Sequence, residues 1–271
     1  MATLLTAIFF GIVQGLTEFL PVSSTAHLIL LEKFLHLSPS VFGLSFDAAL
    51  HLGTLLSLLL YFWTDLLRLV RSFLNDLCHC QIKTPESRLV ISLIFATVPA
   101  AVLGFLLEKK IETVFRDPAL IALALLFGSL IFYLAERFSK ITLRLENLGT
   151  GRSLVLGFSQ ALALIPGISR SGITVSGGLL LGVSRAESGY FVFLLSIPII
   201  FGAGLKSLFD AFKDGVLFHS GGTFIVGFAA SAITGYFVVK YFLAFLKNNS
   251  LTVFIWYRVF LALLVLFFMV R

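Results

Sequence analysis

The chain has 271 residues, of which 58% are hydrophobic and 13% charged, whereas soluble domains carry roughly 25% charged residues. Thirty phenylalanines add to the apolar content, so the composition excludes an ordinary water-soluble domain and predicts an integral membrane protein. The formal charge of +6 belongs mainly to connecting segments that face lipid headgroups. It therefore gives no evidence for nucleic-acid binding.

The first apolar stretch, Leu4 to Leu31, is interrupted by polar side chains and Pro21. Gln14 and Glu18 are four residues apart, so on a helix they share one face and can offer oxygen to a cation or a phosphate-bound water. A carboxylate at membrane depth costs about 2.5–3.5 kcal/mol by insertion measurements. Glu18 could serve a site, or it could cap the broken helix or pair with Arg170 or Arg258.

Hydroxyl groups follow Pro21, where the next helix is expected to begin. A helix N-terminus with free N–H groups attracts anions, so this cluster predicts a phosphate site with a histidine nearby. The residues are Ser23, Ser24, Thr25 and His27.

The next predicted elements are long apolar runs, and each approaches the roughly 20 residues that a helix needs to cross the hydrocarbon core. They are Ala48–Trp63, Leu89–Leu107 and Ala119–Ala135. Asp47 and His51 lie one helical turn apart where the first of these runs begins, so they are a secondary candidate for binding a cation or orienting a catalytic group. The polar segment Asp65–Arg88 is expected to be a loop with reduced cysteines, Cys78 and Cys80.

A second interrupted stretch, Leu154 to Val183, contains Pro166 followed by glycines, hydroxyls and one arginine. Glycines permit turns that aim backbone N–H groups at one point, and Arg170 offers a planar fork that matches phosphate oxygens. The segment lacks the Gly-Lys-Ser/Thr ending of a nucleotide-binding loop. The candidate phosphate-binding residues are Gly167, Ser169, Arg170, Ser171, Gly172 and Thr174.

Three more spans, Tyr190–Leu205, Phe224–Val239 and Val253–Val270, complete a predicted all-α, polytopic fold with about six spanning helices. The two interrupted stretches resemble each other when Pro21 is set against Pro166, and both are expected to form re-entrant hairpins. The prediction is a single membrane domain, residues 1–271, built from inverted repeats at about 1–118 and 150–271. The positive-inside bias is slight and leaves the orientation open.

Two motifs carry a family resemblance. They are Gln14-x-x-x-Glu18 with Pro21-Val22-Ser23-Ser24-Thr25-x-His27, and Pro166-Gly167-x-Ser169-Arg170-Ser171-x-x-Thr174. Together with Phe46-Asp47-x-x-x-His51-Leu52-Gly53-Thr54, they resemble undecaprenyl-diphosphatases of the bacitracin-resistance type over essentially the whole chain. The resemblance implies a multi-pass enzyme of the bacterial plasma membrane. Such an enzyme would convert undecaprenyl diphosphate to the monophosphate carrier of cell-wall synthesis with a divalent cation, Mg²⁺ or Ca²⁺.

The resemblance also implies roles for individual residues. Glu18 would bind the metal, together with Gln14, or position water, and Arg170 would hold the diphosphate with the neighbouring serines and Thr174. Either Ser24 or His27 would be the nucleophile. The chain departs from the family pattern at Gln14, where many members have Glu, and at Ala26, where Gly is usual.

The expected partners are a polyprenyl diphosphate lipid and the bilayer, with a homodimer as an assembly to be tested and no nucleic acid. A transporter or flippase of a polyprenyl phosphate lipid remains the alternative, because broken helices in inverted repeats are typical of secondary transporters. Phosphate release from a lipid diphosphate distinguishes the two.

Overall fold

The computed structural model describes residues 2–38, 41–213 and 216–269, which form eleven α-helices and one short 3-10 helix. In chain order the α-helices are α1 (Ala2–Phe19), α2 (Ser24–Phe34), α3 (Leu44–Tyr61), α4 (Trp63–Cys78), α5 (Pro85–Thr113), α6 (Pro118–Phe138), α7 (Gly149–Leu162), α8 (Arg170–Leu180), α9 (Arg185–Lys213), α10 (Val216–Leu246) and α11 (Thr252–Met269). The 3-10 helix, Leu145–Asn147, precedes α7. The all-α prediction is confirmed.

Six of these helices are long and apolar enough to cross a membrane, and they coincide with the six predicted spans. They are α3, α5, α6, α9, α10 and α11. Large apolar side chains point outward from them, such as Phe105 on α5, which is 77% exposed, and Phe268 on α11. Such a surface is stable in lipid and would aggregate in water, so this is a multi-pass membrane protein.

The segment predicted as a polar loop, Asp65–Arg88, is largely helical, and that prediction was wrong. Helix α4 fills its first part and a short turn leads into α5. The helix has a low average hydrophobicity but a strongly one-sided distribution of leucines, which is typical of a helix that lies along an interface. Cys78 ends α4, and both cysteines are free and exposed.

Close packing of long helices surrounds the two interrupted stretches. Helix α1 packs against α10, α3 packs between α10 and α9, α7 lies against α5, and α6 lies against α11. Gly53 of α3 shows how close α3 and α10 are, because a Cβ there would lie 2.0 Å from the Ser231 hydroxyl and 2.4 Å from the Phe228 carbonyl. The short helix α8 packs against α6, α7 and α9, and α2 packs against α1.

Candidate active site

The two interruptions use the same backbone conformation. Helix α1 ends at Phe19 and α2 begins at Ser24, while α7 ends at Leu162 and α8 begins at Arg170. The residue before each new helix is a serine with positive φ, 72° at Ser23 and 74° at Ser169. Such a conformation costs of order 1–3 kcal/mol in a non-glycine residue and persists only where surrounding contacts impose it. At Ser23 such a contact comes from the opposite interruption.

Hydrogen bonds join the first interruption to the second. The Gly167 N–H donates to the Ser23 hydroxyl at 3.0 Å, and the Ser171 hydroxyl donates to the Leu20 carbonyl at 3.0 Å. Gly167 has a φ of 108°, which a side chain would disfavour. The two motifs, distant in sequence, therefore form one structural unit.

Arg258 of α11 is fully buried behind this unit. Its guanidinium donates to the Gly167 carbonyl at 2.8 Å and more weakly to the Pro21 carbonyl at 3.5 Å. It also lies over the Phe132 ring, 4.6 Å from the ring centroid. None of the ion pairs within the described residues includes Arg258, so carbonyl oxygens and an aromatic face stabilise its charge. From the sequence, Arg258 was only an alternative partner of Glu18, whereas in the fold it joins both interruptions.

A cavity of about 130 Å³ lies where the two motifs meet. Glu18, which is 8% exposed, forms an ion pair with Arg170 through one carboxylate oxygen. The other oxygen accepts hydrogen bonds from the Ser24 hydroxyl and from Gln14 Nε2 at 3.1 Å. The helices α2 and α8 both begin at this cavity, so their N-termini add partial positive charge where a phosphate would bind.

His51 also lines this cavity, and its Nε2 lies 3.4 Å from the same Glu18 oxygen. Its Nδ1 is 2.7 Å from the Asp47 carbonyl, which can only accept, so Nδ1 carries a proton. The Asp47 carboxylate points elsewhere, 3.7 Å from the Arg116 guanidinium. Of the secondary pair, His51 therefore belongs to the site by its side chain and Asp47 only by its backbone.

His27 does not line the cavity. Its Nδ1 is 2.8 Å from the Ser23 carbonyl and its Nε2 is 2.7 Å from the Tyr257 hydroxyl. The ring lies in a separate apolar groove between α1, α2 and α11, together with side chains such as Leu16 and Leu261. Both ring nitrogens thus have partners outside the Glu18 cluster.

The remaining predicted residues fall into two groups. Ser23, Thr25 and Ser169 line the cavity. Ser171, Gly172 and Thr174 lie behind it in α8 and are buried. A Cβ on Gly172 would lie 2.0 Å from the Phe132 ring, so this glycine is needed for close packing. The Thr174 hydroxyl has no partner among the described residues.

Several cavity residues lie outside the motifs and were not found from the sequence. They are Ala100, Gln160, Ala163, Leu164 and Ile199. A larger cavity of about 700 Å³ lies beside Glu32 and Arg116 at the other end of α2 and contains none of the predicted catalytic residues. The smaller cavity is therefore the candidate active site.

The donor groups at the site can be compared with the needs of a divalent cation. Within the described chain, no three histidine, cysteine or carboxylate side chains converge as a metal-binding group. Glu18 and the buried Gln14 Oε1, which has no described partner, offer two oxygens. Mg²⁺ commonly binds through one or two carboxylates and completes its shell with substrate phosphates and water, and this donor set fits that mode.

Comparison with known proteins adds independent evidence. Residues 7–264 match the family described as bacitracin resistance protein BacA. The chain belongs to this family. It is 44% identical over 266 residues to the undecaprenyl-diphosphatase of Rubrobacter xylanophilus, covering 98% of both chains. The corresponding proteins of Geotalea daltonii and Moorella thermoacetica are 42% and 43% identical, with 98% and 97% of each chain covered. The BacA family resemblance predicted from the motifs is confirmed.

Proposed function

We propose that the chain is an undecaprenyl-diphosphatase, which hydrolyses undecaprenyl diphosphate to undecaprenyl phosphate and inorganic phosphate. Family membership supports this activity, and so do the names of full-length relatives. The observation that carries the proposal is the contact of Arg170, Glu18 and Ser24 at the start of two helices. It brings an anion-binding group, a proton acceptor and a nucleophile together in a membrane protein.

The diphosphate is expected to bind by competing with Glu18 for Arg170. The guanidinium is paired with Glu18, so the carboxylate neutralises its charge. Phosphate oxygens can take over the planar fork of the guanidinium, and the helix N-termini at Ser24 and Arg170 offer further N–H donors. Glu18 is then free to act on its other neighbours.

Ser24 is our candidate nucleophile. Its hydroxyl already donates to Glu18, as a nucleophile does to its base. The Ser24 oxygen would attack the terminal phosphorus while its proton passes to Glu18, and the bond to the bridging oxygen would break to release prenyl monophosphate. Water would then hydrolyse the phosphoserine and release inorganic phosphate. With Nδ1 donating to the Asp47 carbonyl, His51 would orient Glu18 in its doubly protonated form, in which Nε2 donates to the carboxylate.

His27 is the alternative nucleophile, through a phosphohistidine. Its ring nitrogens are engaged by the Ser23 carbonyl and the Tyr257 hydroxyl, which favours a role in fixing the start of α2. A divalent cation, Mg²⁺ or Ca²⁺, would be held by Glu18 and Gln14 and would neutralise charge on the phosphate oxygens. Many relatives are expected to have Glu where this chain has Gln14, so its cation site carries one negative charge fewer.

The inverted repeat is part of the proposal. Two features support it: each interruption ends in a positive-φ serine, and α1 packs on α10 while α7 packs on α5. We also propose that the two interruptions are re-entrant hairpins in a bacterial plasma membrane, and that residues 1–118 and 150–271 are the repeats. The last proposal is that the protein forms a homodimer. The same architecture would suit a flippase, which binds the lipid without cleaving it.

The deciding experiment measures phosphate release from farnesyl and undecaprenyl diphosphate by purified protein in detergent with Mg²⁺ or Ca²⁺. Wild type should turn over both lipids, and Arg170→Ala should lower kcat/KM by at least about 100-fold, because a charged phosphate contact is lost. The outer-surface variant Arg144→Ala is the control, since this side chain is 80% exposed, and it should keep full activity. Folded wild type that releases no phosphate would refute the enzyme and favour the flippase.

A further inference from the structure

Gln160 is a buried polar side chain without a partner. It lies in the last turn of α7 and is only 2% exposed. Both its amide oxygen and its amide nitrogen lack a hydrogen-bond partner among the described residues. Leaving such groups unpaired is unfavourable in a protein interior, so the position needs an explanation that packing does not give.

The lack of a partner agrees with the sequence around the end of α7. Gln160 stands nine residues before the positive-φ Ser169, as Gln14 stands nine residues before Ser23. Gln14 donates to Glu18 four residues later. The residue four positions after Gln160 is Leu164, whose side chain cannot accept a hydrogen bond. The second half of the chain thus has a glutamine at the equivalent position, but it lacks the carboxylate that accepts the hydrogen bond of Gln14 in the first half.

The position of Gln160 relative to the candidate active site is informative. Gln160 lines the same cavity of about 130 Å³ as Arg170, Ser169 and Glu18. By the volume of liquid water, about 30 Å³ per molecule, this space holds roughly four waters or a group of similar size. No described protein group pairs with the amide, so we look for its partner among groups that bind in this cavity.

We propose that Gln160 is a substrate-binding residue whose Nε2 donates a hydrogen bond to a phosphate oxygen of the lipid diphosphate. This hydrogen bond would add to the contact that Arg170 makes with the diphosphate. This inference rests on the proposed function, because it concerns the headgroup of the same substrate. It does not involve contacts with the polyprenyl chain of the substrate.

The test compares Gln160→Met, which has a similar shape and no donor, with wild type. KM for farnesyl diphosphate should rise roughly 10- to 100-fold, the value of one hydrogen bond to a charged group, with kcat less affected. The inhibition constant of methylenediphosphonate, a headgroup without a prenyl chain, should rise by a similar factor. The melting temperature of the empty protein should stay unchanged, because no hydrogen bond within the protein is lost.

Ser176→Ala is the matched control. Ser176 is also buried with an unpartnered hydroxyl, but it does not line the cavity, so neither KM nor the inhibition constant should change. Gln160→Glu, which keeps the shape and adds a negative charge, should bind the headgroup more weakly than Gln160→Met.

Two results would overturn the inference. One is an unchanged KM and inhibition constant in Gln160→Met, and the other is a lowered melting temperature, which would show a structural role. Failure of the proposed function would look different, since wild type itself would then leave farnesyl diphosphate uncleaved. In that case stabilisation by methylenediphosphonate still tests whether Gln160 binds a diphosphate.

Discussion

Ser24 and His27 lie less than one helical turn apart on α2, and their side chains have different surroundings. Ser24 donates to Glu18 inside the cavity. His27 lies in the apolar groove beside Tyr257. The motif that contains both residues does not distinguish them, because each residue type can attack phosphorus and both stand near a helix N-terminus. The contacts across the fold place the two side chains in different surroundings, and this difference is the reason that we propose Ser24 as the nucleophile.

This difference gives the first prediction at the residue scale. Ser24→Ala should lower kcat by at least about 1,000-fold, because removing a nucleophile removes the covalent route. His27→Gln should lower kcat/KM by less than about tenfold, the value of one neutral hydrogen bond. Steady-state release of farnesyl monophosphate measures both. The reverse order, with His27→Gln inactive and Ser24→Ala active, would favour the phosphohistidine route.

The sequence identified site residues whose charge is energetically unfavourable inside a membrane. Glu18 and Arg170 stand out because charge at membrane depth requires a reason, and the structure pairs them. The pairing of His51 with Glu18 and the buried position of Gln160 could not be found in this way. Both depend on contacts between helices that are far apart in the chain, and a lone histidine or glutamine in an apolar helix has many structural explanations.

At the element scale, the turn between α4 and α5 is organised by one carboxylate. Asp76 is buried and accepts hydrogen bonds from the Lys83 and Thr84 N–H groups, each at 2.9 Å. These hydrogen bonds lower the pKa of Asp76 from 3.8 to about 2, and the bond from the Thr84 N–H has the largest effect. Thr84 in turn caps the N-terminus of α5 by accepting from the Ser87 N–H.

The lowered pKa predicts a pH-dependent stability. A carboxylate whose folded pKa lies below its unfolded value stabilises the fold above the unfolded value, and this contribution is lost as the pH falls through the folded pKa. Asp76→Ala should therefore melt at a lower temperature than wild type at pH 7. The difference should shrink between about pH 4 and pH 2. Melting curves in detergent measure it, and a difference independent of pH would contradict this role.

Helix α4 also shows the limit of sequence reading at this scale. The six spans were predictable because long apolar runs have one stable structure in lipid. Helix α4 mixes polar and apolar residues, and a low average hydropathy gives it the appearance of a loop. The helical period of its leucines distinguishes it from a loop, whereas its average polarity does not.

Close packing between α3 and α10 gives a second prediction at the element scale. Gly53→Ala should lower stability by about 1–3 kcal/mol, because the added Cβ would meet the Ser231 hydroxyl and the Phe228 carbonyl. Gly202→Ala is the control, since a Cβ at Gly202 meets nothing within 4 Å, and it should be neutral or slightly stabilising. Equal stability of the two variants, measured by thermal unfolding, would contradict the close approach.

At the scale of the whole molecule, the site requires both halves of the chain. The first half contributes Glu18 and Ser24, and the second contributes Arg170 and Gln160. Arg258, near the C-terminal end, donates to carbonyls of both interruptions. The sequence predicted two motifs that act together. It could not predict the residue that joins them, because Arg258 belongs to neither motif.

The most direct test of this account is a double-mutant cycle between Glu18 and Arg170. Glu18→Gln and Arg170→Gln should each lower kcat/KM for farnesyl diphosphate strongly. The kcat/KM of the double variant should be only slightly lower than that of the less active single variant. Residues in contact commonly show coupling of about 0.5–3 kcal/mol, and we expect a value in the upper part of that range. Losses that simply add would contradict a shared site, because they would show that the two motifs act independently.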